Sequence, residues 1–84
     1  MDRVDELIDI ITKDMANYDI EKIFWNDSIG KVIVMTKPVT GVDGMFMYEN
    51  TLENRKIFTP NENFKVYHEI VNDNNLVYEK GDQQ

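Results

Sequence analysis

The sequence predicts an α+β domain, with one N-terminal amphipathic helix packed on an antiparallel β meander of about five or six strands. Two observations carry this. Apolar residues recur at helical spacing only near the N-terminus. The remainder alternates between short β-branched or aromatic runs and clusters of Asn, Asp, Gly and Pro, and connections this short favour pairing between sequence neighbours.

Val4, Leu7, Ile8, Ile11, Met15 and Tyr18 fall at the 3-and-4 spacing of one helix face. They predict a helix over 3–17, with Asp2 as its cap and Asp5, Glu6 and Asp9 placed where the helix dipole is positive. Ile10 lies outside the stripe, so it is either exposed or covered by another element. Ile20 to Trp25 and Lys31 to Lys37 then read as strands around the hairpin loop Asn26 to Gly30, and Pro38 ends the second strand. After a loop with Gly41, Asp43 and Gly44, Met45 to Glu49 and Arg55 to Thr59 form another pair. Phe64, Val66, His68 and Ile70 alternate with Lys65, Tyr67, Glu69 and Val71, which favours a strand over 64–71, with a helix as the rival. Asn72 to Asn75 reads as a turn leading into a last strand, Leu76 to Glu79. The domain is expected over 1–80, and residues 81–84 are expected to fray.

Composition narrows the function. The chain has 84 residues, 16 Asp and Glu against 9 Lys and Arg, a formal charge of −7 and no cysteine. A second core would need roughly another 50 residues, so one domain is expected. Disulfides, thiolate chemistry and cysteine-based zinc sites are excluded. The negative charge disfavours direct binding to nucleic acid or to an anionic membrane. The acidic start lacks a signal-peptide pattern, and apolar runs such as Val32 to Met35 are far shorter than the roughly 20 residues of a membrane span. A cytoplasmic protein is expected. The charge is uneven: residues 1–30 carry −5, residues 31–60 carry +1 and residues 61–84 carry −3.

Catalytic chemistry finds little support. Ser28 and His68 are the only serine and histidine, one in a turn and one in a distant segment, which is a poor basis for a nucleophilic triad. The Asn72 to Asn75 turn with Asp73 lacks the order of a calcium loop, and no phosphate-loop pattern is present. Arg55 and Lys56 read as charges protecting an edge strand. No catalytic residue, metal or cofactor is therefore expected.

Binding is better supported. If Phe24 packs under the helix, its neighbour Trp25 lies on the open sheet face or its rim, and Met45 and Met47 share one face. Such residues are enriched at protein interfaces. Asp2, Glu6 and Asp9 rise along the helix at about 5 Å per turn, comparable with the charge spacing of a nucleic-acid duplex, although Lys13 interrupts the row. In size and acidity the chain resembles the small acidic inhibitors that phages use against host nucleic-acid enzymes, a likeness of bulk properties that covers no motif. The expected function is thus a small acidic non-enzymatic protein that binds and inhibits or modulates a partner protein, with occlusion of a basic nucleic-acid-binding surface as the expected mechanism. Asp2, Asp5, Glu6 and Asp9 would supply the charge and Trp25, Met45 and Met47 the apolar anchor. The alternative is a structural or homo-oligomeric small domain whose open sheet face mediates self-association, a homodimer being the simplest case.

Overall fold

The computed structural model describes residues 3–37, 44–49 and 52–81. Helix α1, Arg3–Asp14, buries Leu7 and Ile11, with Met15 extending the same face in the turn that follows. It ends three residues before the expected boundary: Ala16 to Asp19 includes weak helix formers, and the chain turns there through a Tyr18 N–H bond to Met15 O at 3.0 Å. Asp2 and the expected 38–43 loop lie outside the described residues.

Four strands follow as a meander: β1 (Ile20–Asn26), β2 (Lys31–Thr36), β3 (Met45–Glu49) and β4 (Asn54–Ile57). Gly30, at φ 64°, takes the left-handed position of the β1–β2 turn, and Ser28 N–H donates to Asn26 Oδ1 at 3.0 Å. The segment read as a strand at 64–71 is instead a helix, α2 (Phe64–Ile70). Strand β5 (Leu76–Glu79) then runs antiparallel to β1, giving the order β4-β3-β2-β1-β5. All pairings are antiparallel, so the fold is α+β, with a second helix beyond the one expected.

Tertiary packing explains why α2 is helical. Val66, Tyr67, Ile70 and Val71 point inward at helical spacing, whereas Phe64, Lys65, His68 and Glu69 are exposed. In a strand, Phe64, Val66, His68 and Ile70 would share a face, yet Phe64 is 66% exposed while Ile70 is fully buried. The final carbonyls of α2 are capped by side chains distant from its start: Asn26 Nδ2 donates to Glu69 O at 2.9 Å, and Asn75 Nδ2 to Ile70 O at 2.9 Å. Asn72 to Asn75 is therefore not a hairpin turn. Asn72 Oδ1 accepts from Asn74 N–H at 3.0 Å and starts a short 3₁₀ turn that brings the chain back to β1.

The sheet is thus covered on both faces. Leu7, Ile11 and Met15 pack on Ile23, Val34 and Phe46, while Ile70 and Phe58 pack on Phe24, Ile33 and Met47. The open apolar face expected for self-association is the face that α2 occupies.

A bulge in β1 sets which side chains meet which helix. The pairing steps from Ile20↔Thr36 to Lys22↔Met35, so Glu21 is the extra residue. Ile20 and Ile23, three apart, consequently both join the α1 core, which an unbroken strand cannot do. Phe24 is therefore under α2 and Trp25 packs against the α1 layer, the reverse of the expected arrangement.

Candidate functional site

Ion pairing concentrates the negative excess. Eight of the nine bases lie within 4.0 Å of a carboxylate, but they share six carboxylates: Asp9, Asp14, Asp19, Asp27, Glu49 and Glu79. Glu49 takes both Lys31 and Lys56, and Asp19 takes both Lys37 and Lys80. Among the described residues, Asp5, Glu6, Glu21, Glu53, Glu62, Glu69 and Asp73 are left without an ion pair.

Asp19 ties the ends of β2 and β5 to the start of β1. Its hydrogen bond to Lys80 outweighs desolvation and, with the Lys37 charge, holds its carboxyl below the ordinary value of 3.8. A depressed folded pKa means that the contribution is present above about pH 3.8 and is lost as pH falls through the folded value. Lys80→Met is expected to return the Asp19 midpoint toward 3.8, read by NMR titration of its carboxyl carbon. An unchanged midpoint would show that Lys80 does not hold it.

Two of the unpaired acids border a groove between α1 and the segment entering β4. Arg3, Glu6, Leu7, Ile10, Trp25 and Leu52 enclose a cavity of about 140 Å³. Ile10, Asp14, Tyr48, Leu52, Glu53 and Arg55 enclose a neighbouring cavity of about 360 Å³. Ile10 and Leu52 belong to both, so the cavities adjoin along one apolar floor. Ile10, the residue outside the helix stripe, is 43% exposed there. Leu52 adopts φ 83°, a left-handed conformation that costs a non-glycine residue about 1–3 kcal/mol and is sustained only by its surroundings. Trp25 Nε1 is buried and has no hydrogen-bond partner among the described residues. The Arg3 guanidinium covers the Trp25 ring at 5.3 Å and reaches Asp27 at 3.8 Å.

The far end of the groove is a polar corner. Tyr48 Oη donates to Asp14 Oδ2 at 2.6 Å, and Arg55 Nη1 lies 3.8 Å from the same oxygen. Arg55 also spans the Tyr18 and Phe46 rings, at 5.7 and 5.8 Å from their centroids. Burial, followed by the hydrogen bond and negative charge of Asp14, raises the Tyr48 pKa well above its ordinary value.

The structure separates the residues that the sequence had grouped. Asp5, Glu6 and Asp9 are all exposed on α1, but Glu6 alone of the three lines a cavity, and Asp9 is bridged to Lys13 at 3.1 Å. Trp25 belongs to the α1 side of the sheet, and Met45 and Met47 to the α2 side, so the three do not form one anchor. Met47 is core, only 8% exposed, whereas Met45 lines a cleft of about 400 Å³ with Met35, Phe58 and Pro60. His68, exposed on α2, packs edge-on against Phe64 at 4.3 Å, while Ser28 sits in the β1–β2 turn. Among the described residues, no group of three or more His, Asp or Glu is arranged to hold a metal ion.

Sequence reasoning missed Leu52, Glu53 and Ile10 as parts of one site. Only the exposed position of Ile10 on the helical wheel hinted at it. No described helix is long and apolar enough to cross a membrane. Compared with protein-family models, with curated proteins and with solved structures, the chain matches none of them.

Proposed function

We propose that this is a small acidic binding protein, without catalytic activity of its own, that modulates a partner protein by occluding a basic surface used for nucleic acid. The observation that carries the reading is the uneven ion pairing. Nearly all the bases are ion-paired within the molecule, while several carboxylates, Glu6 and Glu53 among them, have no cation within 4.0 Å among the described residues. Arg3 and Arg55, which line the same cavities, are bridged to Asp27 and Asp14 instead. A surface of that kind attracts cations and repels phosphate. Apolar residues between the two acids add the desolvated contact area on which a stable interface depends.

The test is competition. The immobilised protein is expected to retain a partner from cell lysate at low salt, and duplex DNA or raised salt is expected to release it. A partner retained equally with and without excess DNA would overturn the occlusion mechanism.

A further inference from the structure

We infer that the groove between α1 and the Leu52–Arg55 segment receives a cationic peptide segment of the partner that carries a large apolar side chain. This rests on the proposed binding function and assigns its contact site. The apolar side chain would lie on Ile10 and Leu52, which form the floor common to both cavities. Glu6 and Glu53, on opposite walls and without ion pairs among the described residues, would take its cationic groups.

The Trp25 end of the groove already displays the chemistry required. A guanidinium from the chain itself, Arg3, rests over the indole and beside a carboxylate. The Arg3 side chain is 70% exposed and its bridge to Asp27 is long, so a cation from a partner can replace it at little cost. Trp25 Nε1 is a donor without an acceptor, and a backbone carbonyl of the incoming segment would supply one once Arg3 moves aside. From Arg3 to Asp14, α1 offers about 16 Å of wall, enough for roughly five extended residues. The occupant is therefore a short segment rather than a broad surface.

Trp25 is the only tryptophan, so its emission reports on this groove alone. The probe is a short synthetic peptide of arginine and leucine, titrated into the full chain while Trp25 emission is followed. Binding is expected to shift that emission, and Glu6→Gln with Glu53→Gln is expected to weaken binding roughly three- to tenfold. The control, Glu69→Gln with Asp73→Asn, removes the same charge from residues outside the groove and is expected to change affinity less than twofold. Glu53→Gln alone, away from the helix, guards against a folding defect in α1 and is expected to give part of the loss. Equal losses in the two double variants, no emission change on binding, or no binding of the peptide would each overturn the groove assignment. Partner capture released by DNA would still stand in those cases, so failure of the groove and failure of the occlusion reading remain distinguishable.

Discussion

Ile70→Ala is expected to destabilise the domain by about 2–5 kcal/mol. Ile70 is fully buried and belongs to the cluster of Phe24, Ile33, Met47 and Phe58 on the α2 face. Removing its side chain costs the lost transfer energy and leaves a cavity that the surrounding sheet cannot close. The helix around it has seven residues, too few to persist without packing. An 84-residue domain has a total stability of about 4–13 kcal/mol, so the substitution removes a large share of it. Urea denaturation should show a lower midpoint with little change in slope. Trp25 reports from the other sheet face, so its emission and the far-UV circular dichroism should still change together if the two layers unfold as one unit. A loss below about 1 kcal/mol would mean that α2 contributes little to the fold.

The second large effect is expected at the Tyr48–Asp14 contact. The Tyr48 ring is 2% exposed, and its hydroxyl donates to Asp14. Asp14→Ala leaves that hydroxyl without its charged acceptor and should cost about 1–2 kcal/mol, the lower part of the usual range because the adjoining cavity admits water. Tyr48→Phe removes the donor while Asp14 keeps Arg55, so its cost should be smaller. The pH dependence has a definite sign. The folded pKa of Tyr48 is raised above the unfolded value of 10.0, chiefly by burial. Its contribution is therefore fully present below about pH 10 and is lost as pH rises from there toward the folded value. Urea midpoints measured across that alkaline range should fall in the parent protein and fall less in Tyr48→Phe. An identical alkaline decline in both would remove Tyr48 as its source.

The acidic helix and the four-strand meander were legible in the sequence because local rules produce them. Leu7, Ile11 and Met15 repeat at helical spacing, and Asn26 to Gly30 has the turn chemistry of a hairpin. The missed α2 carries no side-chain capping signal at its own start. Thr59 to Glu62 forms a separate turn, in which Thr59 Oγ1 donates to Glu62 Oε2 at 2.6 Å, and Asn63 makes no side-chain cap bond to the helix. Alternating apolar residues across 64–71 masked it, because Val66, Tyr67, Ile70 and Val71 form a helical face that overlaps a strand pattern. The groove could not be read at all. It is built from residues 3–14, 25, 48 and 52–55, whose proximity follows from the strand order.

The sequence by itself determined the fold class, the existence of α1 and the meander, and the net negative charge. Each depends on propensity, periodicity or simple composition, which act over a few residues or over none. Tertiary structure alone decided that 64–70 is helical, that β5 joins β1, and that the β1 bulge turns Trp25 toward α1. It also decided which carboxylates remain unpaired. A seven-residue helix has no stability of its own, a one-residue bulge reverses every side chain beyond it, and ion pairs form between residues up to 61 positions apart. Such outcomes follow from packing between distant segments, which no local pattern encodes.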